Sequence, residues 1–339
     1  EAPYEDCEVA MTDATVQTIE PKTLESIRTV ANIGSGTMEH ATALQFAVAD
    51  TGEIGGLREE LLKRGIECIR ADAEEFAQAG LLRAEDTVDD VLSRISTYTD
   101  YENGVSDADF IIESIVEKLD VKQSVWQQIE QYAPVDAIFA QTLPDFGPDR
   151  NPICAEAPGT LCDGSFLESW ASDAASRSGA RQRHRAGSVD TTFDLMASIG
   201  KKPAKIKKES LGFVGNRMQL ALLREAFNII KSIADTETVD TVVRYSLGRR
   251  WNLVGPVASA DLGGLDTFYN ISTYLFKDMD NGTEPSHLLA WKVQDGNLGA
   301  KTGRGFYEWQ GEDGQRIIRE RDEQLMQQLA EDAAVEDAD

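Results

Sequence analysis

Positive charge is what this chain lacks most. Its 339 residues hold 33 Lys and Arg against 59 Asp and Glu, a formal net charge of −26. That balance excludes bulk-charge binding to nucleic acid or to an anionic membrane surface. It fits a halophilic, salt-rich cytoplasm in which ions screen the self-repulsion. Cysteine is scarce as well. Cys7, Cys68, Cys154 and Cys162 stand apart and form no Cys-x-x-Cys pair, so neither a zinc site nor a disulfide framework is expected. No apolar run reaches the roughly 18 residues that a membrane-spanning helix needs. The expectation is therefore a cytoplasmic protein with free thiols, no metal, no nucleic-acid partner and no membrane partner.

The residues that are present concentrate their information at Val30-Ala31-Asn32-Ile33-Gly34-Ser35-Gly36-Thr37-Met38. A short apolar run ends in Gly-x-Gly, and an Ala-rich helical pattern follows from Ala41 to Ala49. This is the pattern of a first strand and first helix joined by a turn that holds a pyrophosphate. Glycines allow the tight turn and close backbone approach, and the free N–H groups of the helix start face the anion. Glu39 stands where a third Gly or Ala is expected.

Periodicity organises the remainder. Residues 1–26 are polar and acidic and form a tail. Helical spacing runs over 57–80, 87–95 and 118–132, with Pro134 ending the last. Asp109 to Glu113 and Ala137 to Ala140 read as buried strands. This alternation predicts an α/β fold, a doubly wound parallel (Rossmann-like) sheet over 27–208. Within it, 145–190 is atypical: apolar periodicity vanishes, and Arg177, Arg181, Arg183 and Arg185 fall in a stretch without acids, a pattern of loop, disorder or non-native sequence. Helical patterns return at Phe193, with Gly200 as a stop, and Lys202 to Ile206 reads as a strand. Gly212 to Ile233 is a long helix with Phe213, Met218, Leu222 and Ile229 as core candidates. Further helices are expected over 238–246 and 260–276. An all-helical domain over 209–309 follows, and then an acidic C-terminal tail, 310–339, with an amphipathic piece from Ile317 to Leu329.

Several stretches together resemble the 3-hydroxyacyl-CoA dehydrogenase family. They are Ile33-Gly34-Ser35-Gly36-Thr37-Met38; Asp109 to Ser114 with Glu117 and Lys122; Gly200-Lys201-Lys202-Pro203; Gly212 to Arg217; Gly255-Pro256; Asp261 to Asp266; and Lys301 to Tyr307. The resemblance implies NAD as cofactor, bound by Gly34, Gly36, Thr37, Met38, Glu117 and Lys122. It implies an acyl-CoA substrate contacted by Asn216, a homodimer formed through the helical domain, and a role in fatty acid metabolism. The implied chemistry moves hydride from the 3-hydroxyl carbon to NAD, with a His as general base and a Glu that orients it. Leu247-Gly248-Arg249-Arg250-Trp251 also resembles relatives that act on small hydroxy acids such as carnitine.

The chain departs from that pattern at the proton-handling centre. Leu143 replaces the Ser that hydrogen-bonds the substrate oxygen, and the segment with His, two aromatics and Asn-Pro is absent. Its His belongs near Gly164 or Ser165 and the Glu near Ser176 or Arg177. The ribose-binding acid is also missing, its position falling at Leu57, and Arg58 beside it reads as a solvated residue rather than a 2′-phosphate ligand. The departures imply low order near 53–57 and 145–190. Two readings stand: a dehydrogenase of this family, or a catalytically inactive dinucleotide or acyl-CoA binder. Because the altered window keeps its length, compensating frameshifts in the gene are a specific origin for the second.

Overall fold

The computed structural model describes residues 22–34, 37–49, 59–115, 119–141, 171–173, 187–206 and 214–336. The 53–57 window and most of 145–190 lie outside the described residues, as do Gly36 and Glu117. The strands are β1 Val30–Ile33, β2 Phe110–Glu113, β3 Ile138–Gln141 and β4 Ala171–Asp173, in the order β1-β2-β3-β4. The first three run parallel, and β4 lies antiparallel at the edge of β3. Val30, Phe110 and Ile138 stand abreast at one end of the register, and Ile33, Glu113 and Gln141 at the other.

Parallel strands are covered on both faces, so each needs an almost unbroken apolar run. Every residue of β1 and β2 is buried. Helices α1 Thr37–Ala49, α2 Glu59–Gln78, α3 Val88–Ser93, α4 Tyr101–Val105, α5 Leu119–Tyr132 and α6 Ser188–Ser198 provide the cover. On one face, Val30, Phe110, Ile112 and Ile138 pack with Leu44 and Phe46 of α1, Phe76 of α2 and Leu195 of α6. On the other, Ala31, Ile33, Ile111 and Phe139 pack with Val105 of α4 and Val125, Trp126 and Ile129 of α5. The alternation along each strand follows from the two-residue side-chain period. Helices on both faces of a parallel sheet make the doubly wound α/β architecture that the sequence pattern predicts.

Local chemistry sets the element ends. Thr87 and Asp90 form a reciprocal capping box at the start of α3. Asp100 accepts the Asn103 N–H at 2.8 Å to start α4. After α6, Gly200 turns the chain at φ 77°, a left-handed conformation that suits glycine. Residues 202–206 form no strand beyond an isolated bridge at Ala204.

The second half is helical: α7 Gly215–Ser232, α8 Thr236–Val242, α9 Gly248–Gly263, α10 Leu265–Leu275 and α11 His287–Gln294, with a π-helical turn Val243–Leu247 joining α8 to α9. The helix expected over 260–276 is split by Gly264 at φ 88°, and α9 is kinked at Gly255-Pro256. No residue of α7 to α11 is buried. Met218 and Leu222, read as core from sequence, are exposed in the single chain, and Ile229 is half-buried. The acidic segment past 310 forms a 25-residue helix, α12 Glu312–Glu336. It returns to the first half, where Leu325, Met326 and Leu329 join the core beside α1 and α2.

Candidate functional site

In a doubly wound sheet, ligands sit outside the carboxyl ends of the strands. Here β1 ends at Ile33 and is followed by Gly34, and α1 begins at Thr37, with Met38 also in its first turn. Those helical N–H groups have no intrahelical acceptor and, with the helix dipole, favour an anion. β2 ends beside them, with the Ser114 N–H donating to the Ile33 carbonyl at 2.9 Å.

Three buried polar side chains cluster at these strand ends: Asn32, Glu113 and Ser114. Glu113 Oε1 accepts the Ile115 N–H at 2.7 Å, and its Oε2 lies 3.5 Å from the Lys122 ammonium. Lys122 is 1% exposed and Glu113 is fully buried. Lys122 is therefore an inward member of the α5 stripe Lys122, Val125, Trp126 and Ile129, and not a solvated helix-start charge. The same spacing could have identified Glu113 as its partner from sequence: a strand ends in a carboxylate, and a lysine sits in the apolar face of the next helix. The Ser114 hydroxyl is buried and has no hydrogen-bond partner among the described residues. A buried unpaired hydroxyl costs free energy, and its position at the strand ends fits a ligand that supplies an acceptor or donor. These residues fit NAD: Gly34 and the α1 start would hold the pyrophosphate, with Ser114 and the Glu113–Lys122 pair flanking it. The cofactor, when bound, supplies the hydride acceptor.

Asn216 lies in the first turn of α7, on a separate hollow of about 660 Å³. Arg217, Arg224, Phe227, Ser286 and Leu289 also line it, and Arg224 donates to the Gly282 carbonyl at 3.2 Å. This places an amide and two guanidinium groups on one helix face, an arrangement able to hold a polar or anionic group.

Two of the three histidines lie among the described residues. His40 Nε2 lies 3.3 Å from Asp72, between α1 and α2. His287 opens α11, and His184 lies outside the described residues. Among the described residues, no group of three or more His, Cys, Asp or Glu side chains is arranged to hold a metal. No helix there is long and apolar enough to cross a membrane.

Lys201, which the sequence offered only as part of the Gly200–Pro203 motif, is buried just past the end of α6. Burial pushes its ammonium down to about 8. It lines a cavity of about 310 Å³ with Arg83, Lys202 and Asp332. The carboxyl ends of α1 and α6 also line that cavity, and Arg83 donates to the Ala49 carbonyl at 2.6 Å. Cations suit those partly negative helix ends.

Residues 29–143 match the family model "3-hydroxyacyl-CoA dehydrogenase, NAD binding domain", and 212–309 match "3-hydroxyacyl-CoA dehydrogenase, C-terminal domain", together well over half of the chain. The chain is 26% identical over 313 residues to 5-formyl-3-hydroxy-2-methylpyridine 4-carboxylate 5-dehydrogenase of Mesorhizobium japonicum, covering 88% of this chain and 96% of that one. It is 29% identical over 222 residues to 3-hydroxybutyryl-CoA dehydrogenase of Clostridioides difficile, covering 65% and 77%. It is 35% identical to L-carnitine dehydrogenase of Mesorhizobium japonicum over 154 residues, covering 44% and 42%. In fold it is similar to the crystal structure of a 5-formyl-3-hydroxy-2-methylpyridine 4-carboxylic acid 5-dehydrogenase, described as an NAD+ dependent dismutase. The TM-score is 0.76 at 24% identity, over 88% and 96% of the two chains. With its NAD-binding wound sheet followed by a helical domain, the chain belongs to the 3-hydroxyacyl-CoA dehydrogenase family.

Proposed function

We propose that this chain binds NAD at the strand ends and a 3-hydroxyacyl-CoA or small hydroxy acid beside α7, and that it transfers hydride between them poorly. The observation that carries this reading is the fate of the histidines. The family's base segment is missing from the sequence; of the described histidines, His40 lies 3.3 Å from Asp72 and His287 opens α11. Leu143 at the Ser position removes a donor to the substrate oxygen. Loss of a general base alone typically lowers a rate by about 10² to 10⁴. The cofactor half is chemically better kept, in Gly34, the α1 start, Ser114 and the Glu113–Lys122 pair. The 35% identity to L-carnitine dehydrogenase and the Leu247–Trp251 stretch favour a small hydroxy acid as the alternative substrate.

The test pairs two readouts on the purified protein. NADH fluorescence titration reports cofactor binding, and NADH absorbance with acetoacetyl-CoA, or NAD+ reduction with carnitine, reports turnover. Saturable NADH binding with slow or no turnover is expected. Brisk turnover overturns the proposal, and absence of NADH binding removes its cofactor half. Six-frame translation of the gene tests the frameshift origin: an alternate frame restoring His, two aromatics and Asn-Pro near 164 supports it.

The unburied helical half supports a homodimer as the working state. Leu253, Val257, Leu262, Leu265, Tyr269 and Phe276 expose apolar surface along α9, α10 and the turn that follows. Exposed apolar side chains on this scale are what an association surface covers. The chain's charge balance, −26, supports a salt-rich cytoplasm as its setting.

A further inference from the structure

We infer that the hollow beside Asn216 continues into a second, apolar hollow that receives the hydrocarbon tail of the substrate, so that the chain takes an acyl thioester with a tail of medium length and not a small hydroxy acid. This rests on the reading that the substrate binds beside α7. The second hollow, of about 550 Å³, lies between α7, α8, α11 and the segment 299–309, with Ile230, Val239, Val293, Phe306 and Trp309 among its lining. Leu223, Phe227 and Leu289 line both hollows, so the two share a wall. Mostly apolar hollows of this size with a few fixed polar groups are the usual form of a small-molecule site.

The apolar hollow has ordered walls. Phe227 and Phe306 stack with ring centroids 5.3 Å apart. Lys292 donates to the Gly305 carbonyl at 2.7 Å and lies 5.3 Å from the Phe306 ring centroid. The Tyr307 hydroxyl donates to Asp240 at 2.7 Å. The ammonium and the phenol are thereby engaged within the wall. The first hollow differs in chemistry. Asn216, Arg217 and Arg224 line it, and the buried Ser286 hydroxyl there has no hydrogen-bond partner among the described residues. Such a hydroxyl costs free energy unless a ligand answers it. Two carboxylates also line this hollow: Asp280 accepts the Gly282 N–H at 2.8 Å, and Glu284 is exposed. Asn216, Leu220, Leu223, Phe227 and Ile230 recur every three or four residues, so one side of α7 runs from polar to apolar through both hollows. A ligand with an oxygen-bearing head and a hydrocarbon tail matches that order; carnitine, charged at both ends, does not. None of the α9 and α10 residues assigned above to chain association lines either hollow.

The test is calorimetric titration of the full chain with butyryl-, hexanoyl-, octanoyl- and decanoyl-CoA, and with carnitine. Affinity is expected to rise with each added pair of methylenes, by up to about fifteen-fold per pair. Ala226→Phe on α7, and independently Val239→Phe on α8, fill the apolar hollow. Each is expected to abolish the gain beyond butyryl-CoA while NADH affinity and butyryl-CoA affinity hold. Equal affinity from butyryl- to decanoyl-CoA, or an unchanged gain in both variants, overturns the inference and leaves the substrate reading standing. Binding of carnitine with no binding of any acyl-CoA overturns it in favour of a small hydroxy acid. Absence of binding by every compound overturns both. Variants that split a dimer by light scattering yet keep the chain-length gain give the hollow to a second copy, and also overturn it.

Discussion

Replacing Lys122 by Met strands a carboxylate in the interior. Glu113 and Lys122 are each no more than 1% exposed, and their charged atoms lie 3.5 Å apart. At an effective dielectric of about 20, two unit charges at that distance attract by about 5 kcal/mol. Desolvation of both ions offsets much of this, so the pair as a whole adds little net stability. Breaking it is different, because one charge then remains buried without its counterion, at a cost of about 3–5 kcal/mol. Against a typical stability of about 5–15 kcal/mol, that leaves a marginal fold. The double variant Glu113→Gln/Lys122→Met removes both charges and keeps an oxygen to accept the Ile115 N–H. It should recover most of the loss. Urea denaturation of wild type, both single variants and the double variant forms a closed cycle, with a coupling energy of at least 2 kcal/mol expected on the same scale. The single Lys122→Met variant should also regain stability as pH falls, because protonation removes the stranded charge. A single-variant loss below about 1 kcal/mol, or a double variant as damaged as the single, would refute the reasoning.

Two other perturbations give signs that are easy to separate. Ser114→Ala removes a buried hydroxyl without a partner, so thermal or urea stability should hold or rise, by up to about 1 kcal/mol, while NADH affinity falls a few-fold. Weaker stability with unchanged NADH binding would show that the hydroxyl serves the fold and not the cofactor. Lys201 has a folded pKa lowered to about 8 from 10.5, so its burial opposes folding fully below pH 8, and the penalty disappears as pH rises past 10.5. Lys201→Met should therefore stabilise the protein at pH 7 by roughly 2–3 kcal/mol, and the gain should shrink between pH 8 and 10.5. A gain that is constant across that range would indicate packing instead of charge.

Much of the nucleotide-binding half was legible because its physics is local and periodic. The β1 run Val30 to Ile33, the Gly34 turn and the α5 stripe each announce themselves within a dozen residues. Gly200 was legible as a stop because a left-handed turn after a helix favours glycine. The break at Gly264 was missed because the apolar pattern runs on through it. Met218 and Leu222 were read as core because they sit at core spacing, yet periodicity reports that a face is apolar and not what covers it. Glu113 was visible only as the end of a strand, since its role depends on Lys122 arriving from the next helix. α12 was read as an acidic tail with an amphipathic piece from Ile317 to Leu329, and that piece contains the three anchors Leu325, Met326 and Leu329, although the sequence did not show that they reach the first half.

The helical half gives the argument for a second copy its force. A domain of about 100 residues normally buries more than half of the surface its chain would expose unfolded. Yet no side chain of α7 to α11 is buried, while Leu253 is 82% and Leu262 79% exposed. Net charge of −26 keeps such chains apart at long range, so association must rest on short-range apolar contact. Fully burying a side chain of this kind contributes about 1.5–3 kcal/mol, and α9 and α10 expose several. Light scattering should therefore report the mass of two chains, more firmly as salt rises, because screening removes the repulsion and leaves the apolar term. Leu253→Asp together with Leu262→Asp should give monomers that lose helical signal from the second half while β2 and α5 keep their exchange protection. A monomeric wild type with a cooperative, fully protected helical half would mean that these helices are stabilised by something other than a copy of themselves.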